Sequence, residues 1–126
     1  MGKPRVFKTK WFQRFARKEE IADAALLEAV ARAEKGQIDA DLGGDVIKQR
    51  VARPGQGKAG GYRTIILFRQ GERAVFMYGF AKSERDNIED DEVKEFKEAA
   101  KHVLALTEKQ LAALVRKGDF VEVKHE

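Results

Sequence analysis

Apolar positions in this chain change period twice, and the changes divide it into three parts. In the first, Pro4-Arg-Val-Phe-Lys-Thr9 reads as a short strand. Thr9 can open a helix on which Trp11, Phe12 and Phe15 share a face at i, i+3/i+4 spacing. A second helix runs from about Glu20 to Lys35, with Ile21, Ala24, Ala25, Leu27, Val30 and Ala31 as a broad apolar face, and Gly36 stops it. The spacing predicts a helical hairpin near the N-terminus. Asp41-Leu-Gly-Gly-Asp45 is a turn cluster, after which the period falls to two. Val46, Lys48 and Arg50 alternate with Ile47, Gln49 and Val51, and a glycine-rich loop follows from Arg53 to Gly61. Tyr62–Arg69 and Arg73–Phe80 are β-branched and aromatic runs joined at Gln70-Gly71, a strong antiparallel hairpin signal. The last third is helical again. Val93, Phe96, Ala100, Val103 and Leu104 line a helix from about Asp91 to Leu106, behind the acidic turn Glu89–Glu92. Thr107 and Gln110 have capping-box spacing before Leu111, Leu114 and Val115, and Gly118 closes that helix. The order strand, two helices, three strands, helices predicts one α+β domain, with helices on one face of a small, mainly antiparallel sheet. Strands are expected at about 46–53, 62–69 and 73–80, paired consecutively, with the helices of 10–35 on one face.

Composition narrows the class. The chain has 126 residues, 43% hydrophobic and 37% charged. That is one domain, large enough to fold without a staple. It has no cysteine, which excludes a disulfide scaffold, a cysteine zinc site and a thiol nucleophile, and fits a reducing compartment. No run approaches the roughly 18 apolar residues of a membrane span, and no signal-peptide pattern follows Met1. The expectation is a soluble, cytoplasmic domain.

Charge is unevenly placed. Residues 1–45 carry nine Lys/Arg and eight Asp/Glu; residues 46–85 carry nine and two; residues 86–126 carry seven and eleven. The middle third therefore holds the positive field. Such a block is the footprint of an anion or nucleic-acid binder, and equally of a merely solvated basic surface.

Several chemistries drop out. The histidines are His102, inside a predicted helix, and His125, in the tail, and neither sits in a metal-ligand pattern. Gly55-Gln-Gly-Lys58 lies between two strands and opens no helix, so it reads as a hairpin connection before it reads as a phosphate nest. What remains is cationic: Lys48, Arg50, Arg53, Lys58, Arg63, Arg69, Arg73, Lys82 and Arg85. Lys48 and Arg50 share a strand face. If the three strands pair in order, Arg63, Lys82 and Arg85 converge on the same face and its rim. Cleavage of RNA by its own 2′-hydroxyl needs a proton acceptor, charge on the pentacovalent phosphate and a donor at the 5′-oxygen. Arginine supplies the second as a planar fork. A lysine among other cations has its pKa pushed down and can serve as the first. The plainer reading is a face that binds phosphate and catalyses nothing.

Lys48-Gln-Arg-Val51, Gly60-Gly-Tyr-Arg-Thr-Ile-Ile66 and Val75-Phe-Met-Tyr-Gly-Phe-Ala-Lys-Ser-Glu-Arg-Asp-Asn-Ile88 resemble the RelE/ParE superfamily of type II toxins, most closely its RelE/HigB-type branch. The most specific piece pairs Gly-Tyr-Arg opening one strand with Gly-Phe-Ala-Lys-Ser-Glu-Arg closing the next. The resemblance covers about residues 5–88, and the helices of 89–118 look like an extension. It implies a toxin that cuts mRNA on the translating ribosome, needs no metal or cofactor and is silenced by a cognate antitoxin, alone as a homo-oligomer or with the antitoxin as a hetero-oligomer. It implies catalytic roles for Arg63 on the scissile phosphate and for Lys48, Arg50, Lys82 and Arg85. Arg53, Lys58, Arg69 and Arg73, the rest of the cationic block, are expected to hold RNA. Ser83 and Ile88 stand where classical members carry arginine and tyrosine, which leaves Tyr62 and Tyr78 as the tyrosines. Tyr78 on a strand reads as a packing residue. Gly60-Gly61 is expected to leave room for a phosphate approaching Arg63, and an acidic or amphipathic antitoxin segment is expected to cover the basic face. A gyrase-inhibiting ParE-like toxin and a non-catalytic RNA-binding or regulatory protein on the same fold are the alternatives.

Overall fold

The computed structural model describes residues 3–53 and 57–125, with only the backbone described for Arg53 and 57–59. Its elements in order are β1 (Arg5–Thr9), α1 (Lys10–Lys18), α2 (Asp23–Glu34), β2 (Ala40–Gly43), β3 (Val46–Arg53), β4 (Gly57–Arg69), β5 (Arg73–Ala81), α3 (Asp90–Val103), α4 (Glu108–Lys117) and β6 (Phe120–Val123). The strands form one sheet in the order β2-β3-β4-β5-β1-β6. β3, β4 and β5 pair antiparallel in sequence, as the alternation predicts, and β1 lies parallel to β5.

Local chemistry accounts for the helix ends. The Thr9 hydroxyl accepts from the Phe12 backbone N–H and starts α1. Thr107 and Gln110 close a reciprocal capping box on α4, and Glu89 and Glu92 do the same on α3. α1 and α2 both form, but their principal contacts are with strands, α1 with β5 and β1 and α2 with β3, rather than with each other.

Helices cover both faces of the sheet, which corrects the one-face expectation. On the first face α1 and α2 bury Val6, Ile47, Val51, Tyr62, Ile66 and Phe76. On the second, α3 and α4 bury Phe7, Val46, Ile65, Leu67 and Val75. The apolar runs 64–68 and 74–76 are buried at every position. A strand buried on both faces reads as a continuous apolar run, not as an alternation.

Two strands lie where none was expected. Asp41–Gly43 is the end of β2, and the turn Gly44-Asp45 has φ of 59° and 63°. Two consecutive positive φ values make a type I′ turn, so the predicted turn cluster is half of a hairpin. β6 returns after Gly118 and pairs antiparallel with β1. Among the described residues no helix is long and apolar enough to cross a membrane.

Candidate nucleic-acid interface

The second face of β3–β5 is organised in rows. At one end Arg50, Arg63 and Phe80 lie across the three strands; next come Lys48, Ile65 and Tyr78; then Val46, Leu67 and Val75. Arg69 opposite Arg73 closes the far end. α3 and α4 cover the apolar rows. The first two rows carry the cations.

Arg50 directly opposite Arg63 is a like-charge cross-strand pair, which sheets ordinarily avoid. Among the described residues neither arginine, nor Lys48, forms an ion pair. Arg50 is exposed and Arg63 half-buried. The Arg63 Nη1 is buried and has no hydrogen-bond partner among the described residues. An unmet donor of that kind costs roughly 1–3 kcal/mol, more for a charged group, and favours a site that takes an added acceptor. Lys48 Nζ donates to Asn87 Oδ1 at 3.1 Å, and the same oxygen accepts the Ile88 backbone N–H at 2.9 Å.

Arg85 is engaged on every side. Its Nε donates to the Asn87 carbonyl at 2.7 Å, its Nη1 to the Tyr78 hydroxyl at 2.9 Å, and its Nη2 to the Glu92 carboxylate. The guanidinium also lies 5.6 Å from the Tyr78 ring centre and 5.7 Å from that of Phe80. It thus ties the 82–89 connection to β5 and to the first turn of α3. Its hydrogen bond to Glu92 raises the arginine pKa, and the same bond, with the Glu89 backbone N–H, holds the Glu92 carboxyl below its ordinary 4.5. Stability from Glu92 is therefore present above that ordinary value and is lost as pH falls through the lower folded value. Glu92→Gln keeps a capping side chain at that helix position and removes only the charge. The melting temperatures of the two proteins should differ at neutral pH and converge below pH 4.5. Parallel curves across that range would contradict the assignment.

The other expected residues fall elsewhere. Lys82 is exposed in the turn after β5. Arg69 and Arg73 lie six residues from Arg63 and at its strand-end counterpart on β5, roughly 20 Å down the sheet. Arg69 donates to the Leu104 carbonyl at 3.2 Å and pairs with Asp45. Arg73, 9% exposed, donates to the Val103 carbonyl at 2.9 Å and pairs with Glu108 at 3.0 Å. Both therefore cap the C-terminal carbonyls of α3, and the structure does not bring them to the cationic rows. The Arg53 and Lys58 side chains lie outside the described residues, although the backbone pairing Arg53↔Gly57 places both positions at the same end as Arg50 and Arg63.

Gly61 has a different task from the one expected. A Cβ there would sit 2.1 Å from the Val51 carbonyl oxygen, so its smallness admits β3, not an incoming phosphate. Tyr62 faces the first side, where its hydroxyl donates to Glu19 at 2.9 Å. Tyr78 packs against Trp11, Phe80 and Phe96, in keeping with a packing role. Ile88 packs into the second-face core.

Beside the cationic rows is a cleft of about 290 Å³, lined by Trp11, Phe15, Tyr78, Phe80 and Arg85 among others. A larger concavity of about 480 Å³ lies against α2, lined by Pro4, Leu27, Ala31 and His125, and holds none of the expected site residues. His125 there contacts the Pro4 carbonyl at 2.8 Å. Among the described residues no cluster of three or more His, Asp or Glu is placed to hold a metal. Asn87, Glu92 and Trp11 were not singled out for the site in the sequence. They bear on it only through contacts that bring residues far apart in the chain together.

No curated protein shows significant similarity to the chain. One family model matches, the RelE toxin of the RelE/RelB toxin–antitoxin system, over residues 4–123. That span takes in every strand and helix, including α3, α4 and β6, which the motifs alone had set apart as an extension. The chain belongs to the RelE toxin family, the toxin half of a toxin–antitoxin pair.

Proposed function

We propose that this toxin cuts messenger RNA on the translating ribosome, with protein side chains alone, at the two adjacent rows that carry Arg50, Arg63 and Lys48. Toxins of this family are generally mRNA-cleaving and pair with an antitoxin. The observation that carries the reading is the buried Arg63 Nη1 with no acceptor, beside two further cations without ion pairs. A phosphate oxygen satisfies that donor, and the fork places a second donor on the same phosphate. In the reaction the 2′-oxygen loses its proton to the base and attacks the adjacent phosphorus, the 5′-oxygen departs and takes a proton from water, and a 2′,3′-cyclic phosphate remains. Arg63 offsets the charge that grows on the non-bridging oxygens. Lys48 is the proton acceptor. Arg50, Arg53, Lys58 and Lys82 hold flanking phosphates. Arg85 acts by fixing Tyr78 and the Asn87 segment. The antitoxin, by its acidic or amphipathic chemistry, covers the same rows.

Induction in cells with translation and DNA supercoiling followed separately tests the choice of target. Translation should stop first, with messages cut within coding regions and supercoiling unchanged. Loss of negative supercoiling ahead of the translation block would replace the nuclease reading with gyrase inhibition. Binding of messages without new 5′-hydroxyl ends would replace it with a non-catalytic RNA-binding role.

A further inference from the structure

Helix α1 carries Lys10, Arg14, Arg17 and Lys18 and no acidic residue, and all four cations are exposed. Among the described residues none of them forms an ion pair. The acidic residues that follow α1, from Glu19 to Asp45, cancel this patch in any count over the N-terminal third. Trp11, Arg14, Phe15 and Lys18 stand at i, i+3, i+4 and i+7, so aromatic rings and cations share one stripe. That stripe lines a shallow hollow of about 270 Å³. Trp11 is 44% exposed, the large hydrophobic left at the surface among the described residues.

The stripe runs into the site already described. The Trp11 ring centre is 4.6 Å from that of Tyr78, and Tyr78 is 6.1 Å from Phe80, which stands in the row of Arg63. Two ring-to-ring steps thus lead from the scissile position to the indole. Glu19 and Glu84 also line the cleft between them. Carboxylates repel phosphate and accept from base amino groups, so that cleft suits a base, while Arg14 and Lys18 suit a phosphate.

We infer that Trp11 is a stacking platform for a base of single-stranded RNA flanking the cut, with Arg14 and Lys18 holding the phosphate of that nucleotide. Exposed aromatics interleaved with cations are how proteins hold single strands with little sequence preference. The inference rests on the nuclease reading for the position of the cut. The binding of RNA at Trp11 has its own test.

Trp11 is the one tryptophan in the chain, so its fluorescence reports this position alone. The purified protein is titrated with a short 2′-O-methyl RNA, which lacks the attacking hydroxyl and stays intact. Quenching should be saturable. A chain of the same length made of abasic units should bind by charge and leave the fluorescence nearly unchanged. Trp11→Ala should weaken binding of the labelled oligomer about 10-fold, and Trp11→Phe should recover most of it. Thermal melting of both variants controls for folding. No saturable quenching, equal quenching by the abasic chain, or unchanged affinity in a folded Trp11→Ala protein would each overturn the inference. Quenching by a poly-glutamate chain but not by RNA would reassign the surface to an acidic protein partner. Message cleavage is read separately: quenching without cleavage removes the nuclease reading and keeps the RNA site, and cleavage without quenching does the reverse.

Discussion

Arg63→Ala is expected to lower cleavage of ribosome-bound message by about 10²-fold or more, the scale seen when one preorganised donor is lost from a transition state. The reason is specific to this position. Arg63 stands opposite Arg50 and beside Phe80, with Nη1 buried and without a partner. Among the described residues that donor is unmet, so removing it should not destabilise the fold, and a slight gain in melting temperature is the expected outcome. Activity and stability should therefore move in opposite directions. Arg63→Lys restores the charge but not the fork, and should return only part of the rate. Growth arrest and cleavage of ribosome-bound message measure the first effect, and thermal melting the second. Full toxicity of the alanine variant at normal expression would remove Arg63 from the site. A marked fall in melting temperature would show instead that its side chain holds the sheet together.

Much of this site was legible in the sequence because β structure has a short, rigid period. Alternation alone placed Lys48 and Arg50 on one face, and the Gly-marked turns gave the order β3-β4-β5 that sets Arg63 across from Arg50. Period two could not say which end of a face matters. Arg63 and Arg69 share a side of β4, yet one stands across from Arg50 and the other meets the end of α3. Nor does local pattern report partners distant in sequence. β6 exists because β1 offers it an edge, and Ala40–Gly43 becomes a strand only by pairing with β3. The i, i+3/i+4 spacing puts Trp11 on the same apolar face as Phe12 and Phe15. Adjacent helical positions diverge by about 100°, so Phe12 enters the core and Trp11 stays at the rim. Counting charges over long segments hides the basic stripe of α1 behind the acidic residues between Glu19 and Asp45.

Gly61→Ala should cost about 3 kcal/mol, at the upper end of overpacking effects, and lower the melting temperature by about 10 °C. The added Cβ would meet the Val51 carbonyl oxygen at 2.1 Å, the Val51 carbonyl carbon at 3.0 Å and the Ala52 Cα at 3.1 Å. All three are backbone atoms of β3, so no side chain can swing aside. The contact arises where the β3–β4 pairing is irregular: Val51 pairs with Tyr62 but Arg53 with Gly57, so the extra residues lie on β4. Gly79→Ala is the comparison. Its Cβ would meet the Phe15 ring at 2.5 Å, and a ring can move where a strand cannot, so the loss should be smaller. The two variants should also differ in activity. Relief of the Gly61 clash requires β3 and β4 to part next to the pairs Val51↔Tyr62 and Arg50↔Arg63. A shift of about 1 Å between groups that act on one phosphate can cost on the order of 10²-fold in rate. Gly61→Ala should therefore lose cleavage even at temperatures where it remains fully folded. Melting and cleavage of both glycine variants on one preparation check this. Wild-type melting for Gly61→Ala would mean that the strands separate freely, and with that result the fixed spacing of Arg50 and Arg63 could not be what the glycine preserves.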